Sequence, residues 1–238
     1  MDLSQYDQKY VRIKDIFGDT FTGFADYGNA DFLMAEYGGD EDGIFIEDVL
    51  IYNSQIASIE EIEAHGTAEL WTERLILRRY RPEDAEPLYQ SLGTDPEVIR
   101  YTDRNPFATP ETARETVRRY ISRRDDAHFY AWVMEYEDVP VGTIGAYNDR
   151  DDHIEIGFHV VREWRGRGFA AEALTKVLEY LTGNEGIFCV SARCASENTG
   201  AQRTLEKAGM KPSGIERDGF AACGRICGRL IYEYRGRV

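Results

Sequence analysis

REWRGRGFAAEAL, residues 162–174, sets Arg165-Gly166-Arg167-Gly168 between an apolar run and a run with helical spacing. The residues before it, HIEIGFHVV (153–161), read as a strand. Those after it, FAAEALTKVLEYLTG (169–183), place apolar residues three and four apart and end on Gly183. A helix start presents unpaired backbone N–H groups and the positive end of the helix dipole. Glycine lets such a backbone curl tightly and approach a ligand closely, and flanking arginines add charge for phosphate oxygens. Strand, glycine turn and helix start, in that order, predict a cradle for a phosphate or a diphosphate.

Spacing separates the cradles that this arrangement could be. A GxxxxGK[ST] loop is missing, which argues against ordinary ATP or GTP hydrolysis. The dinucleotide fingerprint GxGxxG/A is formally met by Gly166, Gly168 and Ala171. Its acidic partner should close the next strand, yet IFCVSAR ends in Ser191-Ala192-Arg193. A third pattern, R-x-x-G-x-A, is met by Arg165, Gly168 and Ala170.

Composition frames the rest. The chain has 238 residues, 42% hydrophobic, with 7 prolines, which suits a packed globular core. No run approaches the roughly 18 apolar residues of a membrane span, and MDLSQYDQKY lacks the basic and apolar regions of a leader. The expectation is a soluble, cytoplasmic protein with no membrane partner. Cys189, Cys194, Cys223 and Cys227 follow no disulfide framework. A four-cysteine zinc site is conceivable, but Cys189 inside a strand-like run reads better as a buried thiol, so no metal is expected.

The net charge of −15 is unevenly spread. Residues 1–66 hold 15 acids and 3 bases, a net of −12, leaving 28 acids and 25 bases beyond them. Two units are therefore expected, residues 1–66 and 67–238. In the first, KYVRIKDIF, TFTGFADY, DFLMAEYG, IFIED and VLIYNSQIASI read as strands separated by glycine turns, and SIEEIEAHGTAE as a helix-like connector. The second alternates strands with helices, notably PEDAEPLYQSLG and TPETARETVRRYISRRDD, the latter capped by Thr109 and opened by Pro110. The fold class is α/β or α+β: a mixed sheet flanked by helices, preceded by a small all-β barrel.

VRIKDIFGDTFTGFADYGNADFLMAE resembles the opening of Sm-like and SH3-like barrels. Where RNA-binding Sm proteins carry Arg-Gly before the last strand, this chain has Tyr52-Asn53, and a charge of −12 would repel phosphates. No nucleic-acid partner is expected; docking of a protein partner or homodimerisation both remain open. Residues 71–238 resemble the Gcn5-related N-acetyltransferases, in their ribosomal-protein-alanine-acetyltransferase-like branch. TERLILRRYRPEDAEPLY resembles the entry strand and first helix of that family. HIEIGFHVVREWRGRGFAAEALTKVLEY resembles its central strand, loop and helix. ASENTGAQRTLEKAGM resembles its later block, with Asn198 in the asparagine position.

The resemblance implies acyl transfer from acetyl-CoA, a cosubstrate, to an amine-bearing acceptor. It implies that the central strand splays from IFCVSAR, so that Phe158, His159 and Val160 hold the pantetheine arm through their backbone. It implies that the backbone of Arg165, Gly166, Arg167, Gly168, Phe169 and Ala170 holds the diphosphate, and that Asn198 contacts the pantetheine or the reacting region. An amine must lose a proton before it attacks, which calls for a general base. Alternation puts Glu155, Gly157 and His159 on one face of the strand. Glu155 is the first candidate, although it could equally pair with an arginine of a neighbouring strand. His159, acting through a water, and Ser196 are the others. Where many relatives place a tyrosine acid after the asparagine, this chain has Leu205. Cys189 as an acyl carrier has no obvious activating partner in the sequence. A non-catalytic CoA sensor and a dinucleotide-binding oxidoreductase are the competing readings.

Overall fold

The computed structural model describes the chain except residues 47, 63, 102–106, 151–152, 223–224 and 237–238, and the side chains at 148–150, 153, 218–222 and 225–227. Its N-terminal part comprises β1 (Tyr10–Asp15), β2 (Thr20–Gly28), α1 (Ala30–Tyr37), β3 (Gly43–Ile46), β4 (Val49–Tyr52) and β5 (Ile56–Glu61). The strands pair antiparallel in the order β4-β3-β2-β1-β5 over a core of their own that includes Leu3, Val11, Ile13, Ile44 and Ile51. The two edge strands are consecutive in sequence, joined only by the 3-10 turn Asn53–Gln55. A flat five-stranded sheet would hold its edges about 19 Å apart, whereas the four Cα steps from Tyr52 to Ile56 span at most about 14 Å, so the sheet curls on itself.

Two expectations for this part are corrected. DFLMAEYG does not form a strand. Asn29 accepts a hydrogen bond from the Phe32 N–H at 2.8 Å, and Gly38 closes the segment at φ 75°, so capping at both ends makes it helix α1. The polar connector is not helical at its start. Glu60 and Glu61 lie on β5 opposite Arg12 and Val11, with ion pairs to Arg12 at 2.9 Å and to Lys9 at 2.8 Å, and backbone pairing to β1 decides the local structure.

The second part comprises β6 (Leu70–Trp71), β7 (Ile76–Arg78), α2 (Ala85–Leu88), α3 (Pro96–Tyr101), α4 (Pro110–Ser122), β8 (Tyr130–Tyr136), β9 (Val139–Arg150), β10 (His153–Val160), α5 (Phe169–Gly183), β11 (Cys189–Ala195), α6 (Thr199–Lys207), β12 (Lys211–Ala222) and β13 (Arg225–Arg235). The strands form one sheet in the order β12-β13-β11-β10-β9-β8-β7-β6, antiparallel everywhere except the parallel pair β10–β11. β8 shows why both faces are covered: Trp132 and Met134 enter the core under α5 and α6, while Ala131 and Val133 enter the core under α2 and α4. PEDAEPLYQSLG opens on a 3-10 turn before α2, and α3 and β12 were not anticipated from sequence.

A buried carboxylate joins the two parts. Glu185, just beyond α5, accepts from the backbone N–H of His65 at 2.8 Å and of Gly66 at 3.2 Å, and from the hydroxyl of Tyr130 at 2.9 Å; its other oxygen lies 2.7 Å from the Tyr180 hydroxyl. Tyr10 of β1 donates to the Gly186 carbonyl at 2.6 Å, and Arg12 to the Gly183 carbonyl at 3.0 Å. The last contact sets a cation at the negative end of the α5 dipole.

Candidate active site

The sheet forks between its two parallel strands. β10 pairs with β11 only from His153↔Cys189 to Glu155↔Ser191. Beyond that point β10 stays on β9 as far as Val160, and β11 stays on β13 as far as Ala195. The Val161 N–H donates to Val141, so alternation turns the backbone groups of 157 and 159 toward β9 and those of 158 and 160 into the opening. The Val160 carbonyl accepts from the Arg165 Nε at 3.0 Å. The Phe158 backbone and the Val160 N–H therefore face the fork, whereas the His159 backbone, expected there too, is turned to β9 instead.

The chain turns at the end of β10 through the 3-10 segment Arg162–Trp164 into α5. Gly166 and Gly168 sit at φ 76° and 85°, the left-handed region that costs other residues roughly 1–2 kcal/mol. A Cβ on Gly166 would meet nothing within 4 Å, and one on Gly168 would meet only the Arg74 Nη2 at 3.5 Å. Glycine is thus demanded by backbone angle, and the space above the bend is open. Glu172 N–H makes the first helical bond, to Gly168, so the amides of Phe169, Ala170 and Ala171 lack helical acceptors. The open bend and these free donors fit a diphosphate.

Arg165 takes another role than its neighbours. Its guanidinium reaches Asp95 at 2.5 Å and Glu97 at 3.2 Å, so it ties the bend to α3, and its backbone N–H donates to the Arg162 carbonyl at 3.3 Å, which takes Arg165 out of the expected cradle. Arg167 lies over the Trp164 ring at 4.5 Å. Tyr136, Trp164 and Phe169 pack at 5.0–6.0 Å beneath the bend. Because β10 and β11 run parallel, Ser196 and Asn198 follow β11 at the same end of the sheet as the bend. Asn198 accepts from the Ala201 N–H at 3.0 Å and caps α6, a role that occupies only its oxygen. Ser196 is exposed, with its N–H bonded to the Gly228 carbonyl at 2.9 Å.

The candidate bases stand in different surroundings. Glu155, at the apex of the fork, accepts from the Arg193 Nη1 of β11. Arg193 Nε lies 3.3 Å from Glu216, which lies 3.7 Å from Arg229. This chain of alternating charge crosses β10, β11, β12 and β13. His159 is half-buried; desolvation and then the nearby Arg165 cation lower its pKa to about 4, so the ring is neutral at ordinary pH. Cys194 is pushed the other way, up to about 11, by burial and by Glu206. Cys189 and Cys194 are five residues apart on one strand and so point to opposite faces, which separates them as ligands of one metal. No metal-binding cluster occurs among the described residues, and Cys223 lies outside them. Leu205 is buried in the core.

One contributor escaped the sequence. Arg74, in the turn between β6 and β7, donates to Glu172 from Nε at 2.8 Å and from its backbone at 2.9 Å. Its Nη1 donates to the Arg167 carbonyl at 3.0 Å. Burial opposes the Glu172 charge, but hydrogen bonds from Thr72 and Arg74 outweigh it and hold the carboxyl below its usual range. Ninety-eight residues separate the two partners, and no periodicity connects them.

A mixed sheet forked at its parallel pair, with a glycine-bent helix start at the mouth, is the arrangement that the resemblance to the N-acetyltransferases implied. Residues 74–211 match the family model described as "Acetyltransferase (GNAT) domain", and the chain belongs to that family. It is 31% identical to p20 of Bacillus licheniformis, an uncharacterized N-acetyltransferase, over 70% of this chain and 98% of the relative. It is 30% identical to YoaA of Bacillus subtilis, likewise an uncharacterized N-acetyltransferase, over 62% of this chain and 85% of that protein. Family and relatives together place the chain among the N-acetyltransferase enzymes. Among solved structures it superposes on a GNAT-family acetyltransferase from Bacillus anthracis with a TM-score of 0.64 at 23% identity, covering 71% of this chain and 99% of that one. It superposes on RimL, a ribosomal L7/L12 α-N-protein acetyltransferase in complex with coenzyme A, with a TM-score of 0.65 at 14% identity, covering 71% and 98%. Such identities carry the fold alone. No helix among the described residues is long and apolar enough to cross a membrane.

Proposed function

We propose that this acetyltransferase moves the acetyl group of acetyl-CoA to a primary amine, on a protein N-terminus or a small molecule, by direct attack of the amine on the thioester. The observation that carries the reading is the joining of the fork to the bend: β10 leaves β11 after Glu155, and the helix start at Gly168 lies at the end of the same strand. The backbone of Phe158 and the N–H of Val160 are proposed to take the pantetheine arm as an added strand. The amides of Gly166, Arg167, Gly168, Phe169 and Ala170 are proposed to hold the diphosphate, and Asn198 to approach the arm through its amide hydrogens. Acetyl-CoA supplies an activated acyl carbon, and a backbone N–H in the fork would favour negative charge on its oxygen.

Glu155 is the proposed base, being the carboxylate at the apex, with Arg193 fixing its position. His159 lies four residues beyond the apex and Ser196 has no base beside it among the described contacts, so position favours Glu155. With Leu205 in the core, the departing thiolate would take its proton from solvent, which a thiol of ordinary acidity permits. Release of CoA thiol with a panel of amine acceptors tests the proposal. Amine-dependent release supports it; tight CoA binding without release on any acceptor would point to a sensor.

A further inference from the structure

The turn between β6 and β7 touches the bend from outside the fork, and Arg74 is its point of contact. Three groups converge there. The carboxylate of Glu172, in the first turn of α5, receives the Arg74 backbone N–H, Nε and Nη2 at 2.9, 2.8 and 2.5 Å, and the Thr72 hydroxyl at 2.6 Å. The guanidinium lies 4.6 Å from the centre of the Phe169 ring, the first residue of α5. The remaining Nη1 donates to the Arg167 carbonyl at 3.0 Å.

The last bond carries the consequence. A trans peptide sets its C=O and its N–H on opposite sides. Drawing the Arg167 carbonyl toward Arg74 therefore turns the Gly168 N–H away from Arg74. Gly168, at φ 85°, has the conformational freedom to rotate that peptide if nothing restrains it. The clasp to Glu172 fixes the guanidinium on the helix that follows, so the peptide plane and the helix start are held relative to one another.

We infer that Arg74 is a positioning residue for the diphosphate cradle: anchored on Glu172 and Phe169, it orients the Arg167–Gly168 peptide so that its N–H is presented to the ligand. The inference rests on the proposed CoA reading of the bend and adds to it a residue from a distant turn. It differs from direct contact, in which the Arg74 cation would itself touch phosphate oxygens and Glu172 would compete with the ligand for it.

The experiment is calorimetry on the full chain with CoA and with pantetheine, which lacks the nucleotide and its diphosphate. Arg74→Ala is expected to weaken CoA about tenfold, or ~1.4 kcal/mol, and to leave pantetheine unchanged. Arg74→Lys, which cannot serve the carboxylate and the carbonyl together, should fall between them. Glu172→Gln keeps the cation but loosens its anchor, and the same CoA-selective loss is expected. Thermal unfolding of each variant serves as the control for folding, and Glu172→Gln carries the test if Arg74→Ala does not fold. A parallel loss for both ligands, or CoA affinity unchanged or tighter in Glu172→Gln, overturns the positioning role. If the wild-type chain binds CoA no better than pantetheine, the cradle reading itself fails, and the inference fails with it.

Discussion

His159 offers a test whose size follows from its surroundings. Its ring is half-buried beside the Arg165 guanidinium, which itself is fixed by Asp95, Glu97 and the Val160 carbonyl, and the pKa falls from an ordinary 6.5 to about 4. Below pH 6.5 the unfolded chain takes up a proton that the folded chain refuses. This contribution is therefore whole above about pH 6.5 and is lost as pH falls through the window down to about 4. For these two values the loss at pH 5 is about 2 kcal/mol, an upper bound because the ring is partly open to solvent. Urea unfolding at pH 7.5 and pH 5, on the wild type and on His159→Gln, isolates it, because every other titrating group is common to both. The wild type should lose up to about 2 kcal/mol more than the variant between the two pH values. Equal losses, or a ring that titrates near 6.5 by NMR, would refute the account and restore His159 as a candidate base.

Gly168→Glu puts a carboxylate at the bend and forces φ 85° on a residue with a Cβ, and calorimetry should find acetyl-CoA binding abolished; unchanged affinity would count against the cradle. Glu155→Gln should lower turnover by about 10²-fold or more and shift its pH profile, whereas an unaltered profile removes Glu155 as the base. Glu185→Ala strands the donors of His65, Gly66 and Tyr130 at the junction of the two parts, and chemical denaturation should register a loss of about 3–5 kcal/mol, with Glu185→Gln costing less.

The catalytic part was legible because its signals are local. Strand 153–160, the glycines at 166 and 168, and the helix over 169–183 each announce themselves within a few residues, by alternation, backbone demand and 3.6-residue spacing. The fork, proposed from family resemblance, corresponds to a register that ends at Glu155. Long-range pairing was not legible. Arg74 meets Glu172 and Arg165 meets Asp95 only once the sheet brings distant turns together. In the N-terminal part, DFLMAEYG has no strong helical spacing, and Asn29 and Gly38 decide its conformation from outside the apolar run. The arginine that meets Glu155 was foreseeable as a type of partner, but Arg193 could be named only from the pairing of β10 with β11.

The central claim is that the glycine-bent start of α5 grips the diphosphate of a thioester carrier. A crystal structure with acetyl-CoA measures this directly. Diphosphate oxygens are expected at about 2.7–3.2 Å from amide nitrogens between Gly166 and Ala170, with the pantetheine arm lying along Phe158 to Val160 in the fork. A carrier bound elsewhere, with those amides facing only water, would contradict it.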